Sequence, residues 1–423
     1  MPTPSLLIVP ARFKSGKLYS QIPTSGAGDF TVTRATTATR VNASGLIESV
    51  ASGIPRLDYF SSDGTVGCPA LLVEPSGTNT LSGSVSLDTG WTITADTIVT
   101  SGIISPSGST NATLFQATNT ASRVRQTATL ASGSTYTFSC FGKFGALSSG
   151  FSLNVFDENA ASYGSGVCQA FNLNEGTLGA SGTTGAGFTL QSVGMENYGS
   201  GWYRCRMTVL MGYTPTTPRV GFRVGTQISG RPLSVASGTV NAWGAQLETG
   251  SVATSYIPTT TGSVTRNADV VLVSGAVSGS IGQTQGTLYM EVDVRNWVNS
   301  ARIFSISDGT SNNRIMTLFN SSNRFRVIVD VSGSSAQADI SSASLSNGIH
   351  KIAVGYAAND VVFYVDGVLV GSDNTANIPA CSQVFLGKIE TAGSTLLMND
   401  RFLDGALYTT RLSNAELAAL TSL

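Results

Sequence analysis

The sequence predicts an all-β protein: two jelly-roll β-sandwich domains in tandem with a less regular N-terminal region. Three observations predict it. Apolar and polar residues alternate at period two almost throughout, the pattern of strands with one face in a core and the other toward water or a partner. Clusters of Gly, Ser and Asn punctuate these runs at short intervals, which favours sandwiches or barrels over βαβ units. Helical periodicity is nearly absent until the C-terminal residues. The composition fits this class. Of 423 residues, 41% are apolar, enough for a core, while only 12% are charged and 47 are glycine. A net charge of -1 without Lys/Arg-rich stretches argues against nucleic-acid binding. The apolar run Leu6 to Val9 is short and flanked by prolines, so it predicts neither a signal peptide nor membrane insertion.

Texture divides the chain into residues 1–78, an attachment or cap region; 79–257, a first sandwich; 258–284, a linker with one strand at Val270 to Val273; and 285–423, a second sandwich. The first region carries Arg12, Lys14, Lys17, Arg34, Arg40 and Arg56 among few acids. Such a charge set serves docking to a larger assembly or an ordinary polar cap. In the first sandwich, WYRCRMTVL places Tyr203, Cys205, Met207 and Val209 on one face and Trp202 and Arg204 on the other. Trp243 shares a face with Ala245 and Leu247 and is expected in the core, whereas Asp157-Glu158 is expected in a solvated loop.

In the second sandwich, TLYMEVDVR alternates Leu288, Met290, Val292 and Val294 with Tyr289, Glu291, Asp293 and Arg295. RFRVIVDV does the same with Phe325, Val327, Val329 and Val331. Asn359-Asp360 and Asp366-Gly367 separate apolar runs and predict hairpin turns. At the end, Ser413 and Glu416 form a capping box, with Leu412, Leu417 and Leu420 as an apolar stripe.

The sequence offers few catalytic groups. His350 is the single histidine, so multi-histidine metal sites cannot form within one chain. At a strand start, with no recognisable nucleophile context, it is expected to pack and hydrogen-bond. The five cysteines form neither a zinc pattern nor a disulfide framework, which suits a reducing cytoplasm. Many acids precede glycine, as in Asp63-Gly64, Asp308-Gly309, Asp366-Gly367 and Asp404-Gly405, and so predict turns. Hydrolysis would need an acid pair assembled across strands. No catalytic residue is assigned.

Binding chemistry has more candidates. Sugar CH faces stack on flat rings; Trp297, in a loop after a strand, and Trp202 beside Arg204 are the aromatic sites expected to be exposed. No cofactor is required, but hard oxygen donors suit calcium, for which Asp308 with Asn312 and Asn313, and Asp373 with Asn374, are the candidate ligands.

Two resemblances extend these readings. GIHKIAVGYAANDVVFYVDGVLVGS, FLGKIE and FLDGALYTTRLSNAELAAL resemble the laminin-G/concanavalin-A-like family of jelly rolls. KSGKLYSQIP, GCPALLVEPSGTN, STYTFSCFGK and WGAQLETGSVATSYIPTTTGSVTRNAD resemble tailed-bacteriophage virion proteins with jelly rolls like carbohydrate-binding modules. The resemblance implies a virion-surface fibre, made in the host cytoplasm, homotrimeric and in contact with other virion proteins. It also implies non-catalytic adhesion to glycans. A decoration protein that binds only protein, and a glycan depolymerase, are the alternatives. In this setting Arg12, Lys14, Lys17, Arg34 and Arg40 are the docking candidates.

Overall fold

The structure, a computed structural model, describes residues 1–146, 150–158, 165–224, 238–387 and 397–423. The resemblance segment FLGKIE therefore extends at 388–390 beyond the described residues. The protein is almost entirely β, and among the described residues no helix is long and apolar enough to cross a membrane.

The first sandwich has two six-stranded antiparallel sheets. One is ordered Thr97–Ile103, Ala112–Ala117, Thr239–Thr249, Thr135–Ala146, Trp202–Met211, Phe188–Asn197; the other runs Thr177–Thr184, Gly166–Asn172, Gly150–Asp157, Pro218–Val224, Arg123–Thr127, Thr92–Ile93. Cys205, Met207 and Val209 enter the core between them, as the alternation predicts.

The second sandwich is one long sheet with a large main core, and it draws in the N-terminal strands. Leu6–Lys14 pairs with Asp400–Tyr408, Phe30–Thr33 with Val270–Ser274, and Val66–Val73 also with Asp400–Tyr408. Leu6, Ile8, Leu18, Phe30 and Val73 therefore share a core with Leu288, Met290, Val292 and Phe325. The strand expected at Val270 to Val273 runs Val270–Ser274 and lies inside this sheet, paired on its other side with Gln383–Leu386. Residues 1–78 are thus not a cap set apart from the second sandwich. Their alternation is short and interrupted, but unpaired strand edges drive it into the sheet.

Local signals in this half are realised closely. Asp366 and Gly367 both have positive φ (50° and 81°), as a tight two-residue hairpin turn requires. The helix Asn414–Thr421 carries the full capping box of Ser413 and Glu416, and it lays Leu412 and Leu417 over Tyr289, Ala353 and Tyr364. Asp404-Gly405 differs from expectation. It lies inside strand Asp400–Tyr408, where the register shifts between the Glu291–Asp404 and Val292–Phe402 pairs, so the dipeptide marks an irregular strand rather than a turn.

Candidate functional site

Two sets of buried charge lie where the N-terminal strands meet the two sandwiches. In the first, both carboxylates are paired and only the Nε atoms of Arg56 and Arg266 lack a partner. Arg34 donates to Asp269 at 2.8 Å, Arg56 bonds both Asp269 and Glu74, and Arg266 lies 3.4 Å from Glu74. All five side chains are buried. Their remaining donors go mostly to backbone carbonyls, including Thr36, Ala51, Thr39 and Pro75. Burial by itself raises the Glu74 carboxyl, yet Arg56 and Arg266 hold it down at about 2. Arg34 and Arg56 are therefore structural clamps between the N-terminal strands and residues 254–269, and the docking role expected for Arg34 is corrected. Arg40 is half-buried and tied to Glu48 at 2.7 Å, whereas Arg12, Lys14 and Lys17 are exposed.

The second set is open. Strand Gln285–Val294 turns Leu288, Met290, Val292 and Val294 into the core and so presents Tyr289, Glu291 and Asp293 on its other face, followed by Arg295. Register places Glu291 directly opposite Asp404 on one side and Lys351 on the other. Burial, with the Glu291 carboxylate adding to it, pushes Asp404 up to about 6. One step along, Asp293 takes Arg401 at 2.9 Å and Arg295 at 3.2 Å. The Arg295 guanidinium lies 4.1 Å above the Phe60 ring.

This polar row ends in a partly open cavity of about 60 Å³. The cavity walls come from all parts of the chain: Asp58 and Phe60 from the N-terminal strands, Tyr198 and Arg204 from the first sandwich, Ala253 from the connection, and Arg295 with Asp400 from the second sandwich. Asp400 accepts the backbone N–H groups of Arg295 (2.7 Å) and Asn296 (3.0 Å) on Oδ1. Its Oδ2 is buried without a partner, and burial holds the carboxyl well above the usual carboxylate range. Arg204, from the first sandwich, also lines the cavity, and its Nε is likewise buried without a partner.

Several expected sites are corrected here. Trp202 is only 3% exposed and Arg204 equally buried, because the N-terminal strands cover the outer face of that sheet. Trp202 packs there with Val41, Ile47, Phe60, Phe141 and Tyr256 in a separate small core. Trp243 is buried as expected but in this outer core, opposite in face to Ala245 and Leu247. Gly244, at φ +65°, sits at the register shift that turns it over. Trp297 is half-buried and packs on Phe319 and Phe325 with ring centroids 5.0 and 5.1 Å away, so it is no free stacking platform.

The acid candidates resolve similarly. Asp308 accepts from Thr310 and Asn313, and Asp373 from Thr375, each closing its own loop. Asn312 and Asn374 are exposed. Among the described residues no group of three or more His, Cys, Asp and Glu is placed to hold a metal ion. Asp157-Glu158 is not a solvated loop: Asp157 is buried under Thr216 and Thr217, and Glu158 pairs with Arg219 at 2.8 Å. His350 packs structurally, as predicted, with Nδ1 on Asp366 (2.7 Å) and Nε2 on the Ser346 carbonyl (2.9 Å).

The sequence of the second half matches the family model described as "Concanavalin A-like lectin/glucanases superfamily", under the name Laminin_G_3, over residues 259–420. Those residues form a concanavalin A-like, laminin G-like domain. The match begins within the stretch read as a linker, consistent with strand Val270–Ser274 lying in the domain's own sheet. None of the curated proteins matches the chain. Among solved structures, the chain is similar to the CBM40 of Ruminococcus gnavus IT-sialidase bound to alpha2,3 sialyllactose, at 14% identity and TM-score 0.31, over 35% of this chain and 88% of that one. It is similar to the heptameric SAP-like pentraxin of Limulus polyphemus at 18% identity and TM-score 0.28, over 33% of this chain and 70% of that one. It is also similar to the binding domain of botulinum neurotoxin serotype D/C, at 13% identity and TM-score 0.29, over 36% and 40%.

Proposed function

We propose that this protein binds carbohydrate through its concanavalin A-like half, as a non-catalytic adhesin. The observation that carries this is the lectin/glucanase match over residues 259–420. The polar row from Glu291 to Arg295 supports it, because it gives that domain hydrogen-bonding side chains on a rigid strand. The phage-like segments in the first 78 residues and the first sandwich support a finer reading. In it the protein stands on a virion surface as a homotrimeric head or tail fibre, contacting other virion proteins through Arg12, Lys14 and Lys17, the docking candidates that remain exposed. A glycan array with the full chain tests the binding function: selective binding to a glycan class is expected, and binding to none overturns it. Immunogold labelling of virions tests the location, and a particle without label overturns that part alone.

A hydrolytic reading has one observation in its favour, the Glu291–Asp404 pair. Directly opposed residues on neighbouring strands have Cβ atoms about 5 Å apart, which puts both carboxyl groups on one face of the sheet within reach of one glycosidic bond. Asp404, pushed up to about 6, would be the proton donor of such a pair. Reducing-sugar release that disappears in Asp404→Asn would select this reading over the adhesin.

A further inference from the structure

The junction cavity contains polar atoms that folding leaves unused. Asp400 is 1% exposed, yet its Oδ2 has no partner. Arg204, whose Nε is also without a partner, lines the same cavity. Buried carboxylate oxygens are nearly always satisfied in folded proteins, so one left open at a cavity wall marks a place for a guest, and Arg204 supplies a donor beside it.

The surrounding charges say which guest. Arg401 is engaged by Asp58 and Asp293, Arg295 by Asp293, Arg40 by Glu48, and Glu74 by Arg56 and Arg266. These cations are thus already paired, and Arg204 shares the cavity lining with the carboxylates of Glu196 and Asp400, which disfavours an anionic ligand. Asp58 spends its two oxygens on the backbone N–H groups of Val41 and Phe60. Asp400 Oδ2 is then a single open oxygen, too few ligands for a divalent cation. A hydroxyl group meets the remaining need, since it donates to Asp400 and accepts from Arg204. At ~10–15 Å³ for each water-sized group, the cavity takes roughly four to six such groups, the size of a vicinal diol or hydroxymethyl end rather than a sugar ring.

We propose that this cavity binds the hydroxyl-bearing end of a neutral saccharide or polyol, with Asp400 Oδ2 and Arg204 Nε hydrogen-bonded to ligand hydroxyls. The inference rests on the carbohydrate-binding reading and places its ligand at the junction of the sandwiches. Ala253 at the wall and Asn296 and Asn399 beside Asp400 complete the site. Because the walls come from every part of the chain, the site exists only in the assembled protein.

The test uses the full chain and its Asp400→Asn and Ala253→Phe variants, with melting curves and titration calorimetry against glycerol and the methyl glycosides of glucose, galactose and mannose. Calcium chloride and sodium sulfate serve as charged probes. Saturable binding of at least one neutral probe is expected, at least tenfold weaker in Asp400→Asn and lost in Ala253→Phe. Asp400→Asn is nearly isosteric and keeps an oxygen for the two backbone donors, so it supplies the result should Ala253→Phe fail to fold. No binding of any neutral probe, a response to calcium or sulfate alone, or equal affinity in both folded variants would overturn the proposal. Glycan-array binding that both variants retain would overturn this site while leaving the lectin function intact. An array with no binding by the unaltered protein would remove that function itself.

Discussion

The two buried charge sets differ in completeness although they are built from the same residue types in adjoining parts of the fold. In the Arg34–Asp269–Arg56–Glu74–Arg266 set both carboxylates face guanidinium groups and most spare donors go to backbone carbonyls, with only the Nε atoms of Arg56 and Arg266 left over. In the cavity set a carboxylate oxygen, Asp400 Oδ2, is itself without a partner. The first network holds the N-terminal strands against the connection between the sandwiches. The second leaves part of its hydrogen-bonding capacity for something outside the chain. Burial of charge is thus common to both, and satisfaction of the carboxylates is what separates scaffold from site.

The largest effect is expected from breaking the closed set. Asp269→Ala leaves Arg34 and Arg56 without their shared carboxylate and should lower stability by about 3–5 kcal/mol, measured as a shift in urea unfolding. The pH response of this set has a definite sign. Glu74 is held down at about 2, so its stabilisation is complete above the ordinary glutamate value of ~4.3 and is lost as pH falls toward about 2.

A second closed contact tests whether completeness matters elsewhere. His350 has both ring nitrogens on acceptors, which fits the imidazolium form. Burial works against that charge, but Asp366 and the Ser346 carbonyl outweigh it and raise the pKa. Its contribution is therefore full below the ordinary value of ~6.5 and fades as pH rises through the raised one. His350→Gln should cost about 1.5–3 kcal/mol at low pH and less at high pH, read from melting curves across the range.

The open set should behave in the opposite way to Glu74. Asp400 is raised by burial, so stability falls as pH climbs from the ordinary ~3.9 through its folded value. Asp400→Asn should remove that fall and gain about 1 kcal/mol at neutral pH. A loss of stability instead would mean that Asp400 belongs to the scaffold. The smallest effect is expected outside both sets: Ala at exposed Arg12, Lys14 and Lys17 together should change stability by less than about 0.5 kcal/mol per site. In the virion-surface reading proposed above, particle assembly with that triple variant reports docking free of any folding defect.

Part of the candidate site is written in the local sequence. The alternation in TLYMEVDVR separates Glu291, Asp293 and Arg295 from the core by spacing alone. Trp202 shows the limit of the same logic. Alternation identifies the face turned away from one core, but it carries no information on whether another part of the chain covers that face. The same limit hides the fact that Asp400 and Arg204, about two hundred residues apart, line one cavity at the junction. The one local signal is scarcity: in a chain with 12% charged residues, an arginine or aspartate amid small and apolar neighbours is a candidate for a buried pair.

By itself the sequence determined the all-β class, the core faces of the C-terminal strands, the Asp366-Gly367 turn and the capped final helix. Each follows from interactions within a few residues or from period-two burial, which are local properties. Tertiary structure alone decided that the N-terminal strands enter the second sandwich, that Arg34 is a clamp, and that Asp400 and Arg204 face one cavity. Those outcomes depend on which strand edges meet and which charges are brought together across the chain, and chain order does not encode such distances.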